Sequence, residues 1–301
     1  MASNLRDVRL RMRSIEQTLQ VTKAMDLIST AKLRKGRRTL EDVQPFFTRI
    51  QKSMYDILNT AGNVKSVYFS RPDRNNVYHS AIVAITSDKG LAGGYNANIF
   101  HLVNELCGRV KNPILVLIGA IGYRYFINSP HLILENFSFH SQLPEVDDAK
   151  QIADYLISQY SWGMFDEIHV VYTHMYSALK LQPEARQILP LDRQTMREEL
   201  AHFDYQERAA LRFEYIPSAE AVFDSMVPLY IKGLVYGCLV EAYTCEQSAR
   251  MSAMNEASKS AEEMLQALQI HYNRARQAGI TQEMSEIIGG SSALQKQGGL
   301  Q

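Results

Sequence analysis

Residues 80–110 read SAIVAITSDKGLAGGYNANIFHLVNELCGRV. An apolar run, SAIVAIT, leads into a loop with three glycines and a lysine. Beyond the loop, apolar residues fall at Ile99, Val103, Leu106 and Val110. The run is a strand buried on both faces, and the spacing of three and four predicts a helix over 96–110. Strand, glycine loop and helix together open an α/β sheet. Backbone N–H groups in such a loop can wrap a phosphate, so the stretch raises a question of function as well as of fold.

The loop fails both nucleotide tests. A phosphate-cradling GxxxxGK[ST] loop needs its lysine after the last glycine. Here Lys89 precedes Gly90, and Gly93 and Gly94 are followed by Tyr95 and Asn96. The dinucleotide pattern GxGxxG is also absent. Gly90, Gly93 and Gly94 are read as a structural turn that lets helix and strand approach closely. A phosphate ligand at Asp88–Gly94 stays as the alternative.

The alternation continues outward. Strands are expected at 113–119, 131–137 and 166–175, with a short helix at 120–127 and a longer one at 147–160 capped by Asp147. Shorter strands are expected at 183–191 and 211–216, flanking a polar stretch, and 62–79 reads as loop. The result is a mostly parallel, two-sided α/β sheet.

On either side lies a long helical pattern. Over residues 3–59, Leu5, Val8, Met12, Ile15, Leu19 and Thr22 step by threes and fours, the spacing of a coiled-coil seam. The pattern drifts through Met25, Ile28 and Ala31 or Lys32, then resumes at Leu40, Val43, Phe47, Ile50, Met54 and Ile57. Gly36 and Pro45 are the points at which this helix would bend or split. Unbroken, it would be about 85 Å long. Residues 218–288 form the second pattern, capped by Ser218, with a kink expected at Pro228. Its apolar positions include Cys238, Cys245, Ala249, Ser252, Met254, Ala261, Met264, Leu265, Leu268 and Tyr272. Neither end can bury its stripe alone, so the two are expected to pair as an antiparallel coiled coil. The expected organisation is an N-terminal coiled-coil helix (1–60), an α/β domain (61–217), and a C-terminal coiled-coil helix with its tail (218–301).

Composition limits the chemistry. Formal net charge is zero, but the first sixty residues carry a basic excess that the remainder offsets. Cys107, Cys238 and Cys245 form no CxxC or Cys/His pattern and are read as small core residues. The eight histidines form no HxH, HExxH or HxxxH pair, and no GxSxG elbow occurs. The longest apolar run, PILVLIGAIG (113–122), is about half of what a spanning helix needs. The start MASNLRDVRLRMRS has no apolar signal region, and its early helix register argues against a removable leader. The basic stretch KLRKGRR (32–38) is either a solvated helix face or a docking face for an acidic protein surface. In YNRARQAGITQEMSEIIGG (272–290), Arg276, Gln277 and Thr281 set polar groups beside an apolar ridge, either in solvent or against an encircling partner.

Several motifs in order carry a family resemblance over essentially the whole chain. VTKAMDLISTAKLRK (21–35), TSDKGLAGGYN (86–96), EQSARMSAMNEASKSAEE (246–263) and YNRARQAGITQEMSEIIGG (272–290) resemble the gamma subunit of F-type ATP synthases, of bacterial type. Ala92 stands where that family often has cysteine. The resemblance implies a Rossmann-like α/β domain with no nucleotide chemistry of its own, and no cofactor. It implies a rotor shaft inside three alpha and three beta subunits, seated on a membrane c-ring beside an epsilon subunit, without nucleic acid and without a span of its own. It places the complex on the cytoplasmic side of a bacterial plasma membrane. By resemblance, Arg276, Gln277 and Thr281 meet a catch loop of a beta subunit, with Lys23, Met25 and Arg250 near the same contact. Lys32, Arg34 and Lys35 face an acidic lever of the catalytic subunits. Two other readings remain: a phosphate-binding α/β protein, and a coiled-coil scaffold at a membrane surface.

Overall fold

The computed structural model describes residues 2–61, 64–69, 77–138, 143–177, 180–200 and 214–298. In chain order the elements are α1 (Ala2–Thr60), β1 (Ser80–Ile85), α2 (Tyr95–Arg109), β2 (Pro113–Ile118), α3 (Ala120–Phe126), β3 (Leu132–Phe137), α4 (Val146–Trp162), β4 (Glu167–Met175), β5 (Leu181–Leu189), α5 (Arg193–Leu200) and α6 (Ala219–Gly298). The chain forms two compact units, residues 1–28 with 251–301 and residues 29–250. α1 and α6 each contribute to both.

In the first unit α1 and α6 pair antiparallel. Thr22 meets Ser258, while Arg9, thirteen residues earlier on α1, bonds Tyr272, fourteen residues later on α6. The seam on α1 is Leu5, Val8, Met12, Ile15, Leu19 and Thr22, all buried or half-buried, as the spacing predicts. On α6 it is Met254, Ser258, Ala261, Leu265, Leu268, Tyr272, Ala275 and Gly279, again in alternating fours and threes. Ser252 and Met264, expected in this stripe, point outward, and Met264 is 55% exposed. They miss the seam because the heptad register passes one residue away from each.

The second unit holds a five-stranded sheet in the order β3-β2-β1-β4-β5. β1 pairs parallel with β2 and β4, β2 pairs parallel with β3, and β5 is antiparallel to β4. Period-two alternation divides β1 between two cores. Ala81, Val83 and Ile85 join α4, the end of α1 and the first part of α6 through Ile152, Leu156, Met54, Ile57, Phe223 and Ile231. Ile82 and Ala84 join α2 and α3 through Ile99, Val103 and Phe126. The first core explains why α6 includes an 18-residue window apolar enough, by length and composition, to cross a bilayer. Half of that window is buried inside the protein.

Within this unit the 3-4 spacing of α1 does not drift. It continues through Ser29, Leu33, Gly36, Leu40, Val43, Phe47, Ile50, Met54 and Ile57. Ile28, expected in the seam, is 56% exposed, and Ser29 takes the place. The seam looked broken because small residues occupy it where the helices approach closely. A Cβ at Gly36 would overlap Thr244 Oγ1 on α6, so glycine here permits contact and does not end the helix. α1 runs on through Pro45 and α6 through Pro228.

Other expectations shift at element ends. α4 starts at Val146, one residue before the expected cap Asp147. The cap is Glu145, whose N–H donates to Asp148 Oδ2 at 2.8 Å. The polar stretch after β5 begins with α5, whose first turn is held by Asp192 accepting from the N–H groups of Gln194 and Thr195. Of the strand expected at 211–216, residues 211–213 lie outside the described residues, and 214–216 are not strand.

Candidate functional site

With strand order 3-2-1-4-5, the chain leaves β1 toward one edge of the sheet and later returns to its other side at β4. Ligands of α/β sheets bind at this switch point, beyond the C-terminal ends of the two strands. The glycine loop 86–94 sits there, after β1 and before the N-terminus of α2.

Internal bonds occupy much of the loop. Thr86 N–H donates to Ile118 O at 2.8 Å, and Ser87 N–H to Asn96 Oδ1 at 3.0 Å. Asp88 Oδ1 accepts from Ala120 N–H at 2.9 Å and Ser138 Oγ at 3.2 Å. Among the three glycines expected to make the turn, only Gly93 is left-handed, with φ 55°. Leu91 shares that region with φ 65°. Gly90 and Gly94 have room for a Cβ. The turn therefore rests on Gly93, while Gly90 matters for its carbonyl.

That carbonyl is bound by α6, which crosses the switch point and fills it. Cys245 packs with Ala92 and Tyr95, against Met175, Leu181 and Ala249. Arg250, 7% exposed, donates from Nη2 to Lys89 O at 3.0 Å and to Gly90 O at 3.2 Å, and from Nε to Gly90 O at 3.3 Å. Its Nη2 also lies 2.6 Å from Glu246 Oε1. At the end of β4, Glu241 Oε1 accepts from Met175 N–H at 3.0 Å and lies 2.7 Å from His174 Nδ1. The crevice that would admit a ligand thus holds side chains of the protein's own C-terminal helix.

Burial pushes the Glu246 carboxyl above its ordinary range. The Arg250 charge opposes this, Asp88 adds to it, and Lys32 lowers it again. Burial raises the Cys245 and Cys238 thiols to about 12 and Cys107 to about 11, so all three stay protonated near neutral pH. Among the described residues, no three His, Cys, Asp or Glu side chains are placed to hold a metal ion.

Lys23 pairs with Glu262 at 2.6 Å, Met25 is half-buried, and Arg276, Gln277 and Thr281 are exposed, all in the first unit. Thr281 Oγ1 donates back to Gln277 O at 3.0 Å. Arg250 belongs to the second unit, with its guanidinium bound to the glycine loop. Lys32 is half-buried in that unit, and Arg34 and Lys35 are exposed. Sequence reasoning missed Glu246 and Glu241. The first was within reach, because Glu246 and Arg250 are an i,i+4 pair.

A family model described as ATP synthase matches residues 4–294. The chain is 41% identical over 296 residues to the ATP synthase gamma chain of Ruminiclostridium cellulolyticum, covering 98% of this chain and 100% of that relative. It is 33% identical over 306 residues to the sodium-ion-specific ATP synthase gamma chain of Acetobacterium woodii, covering 98% and 100%. The fold is similar to a chain of the Euglena gracilis mitochondrial ATP synthase, with TM-score 0.64 and 15% identity over 98% of this chain and 95% of that one. It is also similar to a chain in the central stalk and c-ring structure of the Tetrahymena thermophila enzyme, with TM-score 0.57 and 22% identity over 79% and 99%. The family model and the relatives cover nearly the whole chain and agree: this chain belongs to the gamma chain family of F-type ATP synthase.

Proposed function

We propose that this chain is the non-catalytic rotor shaft of its complex, turned by a membrane c-ring and read by the catalytic subunits as an asymmetric cam. The observation that carries this is an exposed apolar stripe toward the end of α6. Gly279 is the last half-buried seam residue. Beyond it Ile280, Met284 and Ile287 are 49%, 57% and 72% exposed. A contiguous exposed apolar stripe marks a surface that another protein covers. Arg276, Gln277 and Thr281 stand at its start, as the polar contacts of a beta-subunit catch loop would require. The basic positions Lys32, Arg34 and Lys35 suit an acidic lever on the same partners. One shaft with different side chains on each side makes three chemically equal sites unequal, so the nucleotide affinity of each depends on shaft angle.

The reading includes three alpha and three beta subunits, an epsilon subunit at the α/β domain, and the cytoplasmic face of a bacterial membrane. Gentle solubilisation of native membranes with the chain tagged tests it. One copy with three alpha and three beta subunits and ATP hydrolysis is expected, and recovery of the chain alone contradicts it. Replacing Arg276 and Gln277 together by leucine is expected to lower coupled ATP synthesis, and unchanged synthesis would remove the catch assignment. The phosphate-ligand alternative has less support, because α6 occupies the crevice at Lys89 and Gly90.

A further inference from the structure

We propose that Arg250 is a positioning residue for rotary coupling: it locks α6 to the α/β domain, so that rotation imposed on the domain passes to the helix without slack at the glycine loop. The inference rests on the rotor reading and goes beyond it by naming where torque crosses from sheet to shaft.

Two kinds of contact meet at the switch point. Cys245, Ala92 and Tyr95 pack as an apolar cluster. Such contacts hold surfaces together through a non-directional force. Hydrogen bonds are directional and lose strength steeply with misalignment. Arg250 makes three to two consecutive carbonyls of the loop and a charged contact to Glu246. Its planar fork fixes orientation as well as distance. Glu246 keeps the buried guanidinium compensated, since a buried charge without a partner is costly.

A second anchor lies nine residues earlier on the same helix. Glu241 holds the end of β4 by accepting from Met175 N–H. At helical rise the two anchors are about 14 Å apart along α6. One anchor fixes a position, whereas two spaced along the axis fix an orientation. Both strands flanking the switch point are thereby tied to α6, the β1 side through Arg250 and the β4 side through Glu241. A crevice that serves ligand binding in other α/β sheets serves here as a socket for the shaft.

The test uses the assembled complex in sealed membrane vesicles, reading ions transported per ATP hydrolysed. The variants are Arg250→Ala, Arg250→Lys and, as a control, Ile99→Ala. The last opens a cavity in the same domain, in the core on the opposite face of the sheet. Arg250→Ala is expected to lower the transport-to-hydrolysis ratio at least roughly fivefold while hydrolysis continues. Arg250→Lys should fall between, because a single ammonium cannot reproduce the fork, and Ile99→Ala should keep the ratio of the unsubstituted complex. Where Arg250→Ala fails to assemble, Arg250→Lys decides. An unchanged ratio in the Arg250 variants, or an equal fall in Ile99→Ala, overturns the proposal. Coupling in the unsubstituted complex keeps the rotor reading intact in either case.

Discussion

Ser258 Oγ donates a 2.7 Å hydrogen bond to Thr22 Oγ1 across the seam between α1 and α6, and Thr22 Oγ1 donates in turn to Leu19 O at 3.0 Å. Both residues are 7% exposed. The two hydroxyls form a short relay ending on a backbone carbonyl, inside a seam that is otherwise mostly apolar.

Removing one end of the relay should cost more than removing both. Thr22→Val leaves the Ser258 hydroxyl buried without its acceptor, a loss of about 1–3 kcal/mol. Adding Ser258→Ala to Thr22→Val removes the orphan and should recover most of that loss. Denaturant unfolding of the three variants checks this. Equal or additive losses would mean that the pair contributes no specific coupling.

Gly36 should resist even alanine. Alanine is the better helix former by about 1 kcal/mol, yet its Cβ would overlap Thr244 Oγ1. Gly36→Ala should therefore destabilise by about 1–3 kcal/mol, and Thr244→Ala in the same chain should restore most of the loss. Stabilisation by Gly36→Ala alone, measured by thermal unfolding, would contradict the close approach.

Acid should loosen the sheet at Glu167. Burial raises its carboxyl, but hydrogen bonds from Ser80 and Tyr78 and the charge of His169 outweigh this and hold it below 4.5. The Tyr78 bond is 2.8 Å. A depressed carboxyl contributes stability above its unfolded value and loses it as pH falls through the folded one. Between pH 7 and values below 4.5, the melting temperature of the unsubstituted chain should fall more steeply than that of Glu167→Gln. Parallel curves would contradict this.

Core and end stripe should differ sharply in what they contribute to the isolated chain. Ile152→Ala removes a fully buried side chain under the sheet and should cost about 2–5 kcal/mol. Ile287→Ser changes a side chain that is 72% exposed, and should stay within about 0.5 kcal/mol. Similar losses at both places would mean that the end stripe is already covered by the chain itself.

The sheet was legible because its strands are short continuous apolar runs separated by helical spacing, and each of the first four lies within a residue of where SAIVAIT, PILVLIG, HLILENF and DEIHVVYTHM place it. The seam was legible wherever it is apolar. It was lost at Ser29 and Gly36, where close helix approach demands small residues that a hydrophobic pattern does not count. An apolar count passes over Ser29 to Ile28 for the same reason. The glycine loop fails the spacing of a phosphate cradle, but the role of its carbonyls as acceptors from Arg250 depends on residues more than 150 positions apart. No local pattern shows that α6 returns to that strand end.

The most direct test of the central claim is a rotation assay. The alpha and beta subunits are fixed to a surface, a visible probe is attached to the α/β domain of this chain, and ATP is added. The account predicts that the probe turns in one direction, pausing at three equally spaced angles. A complex that hydrolyses ATP while the probe stays still would contradict it.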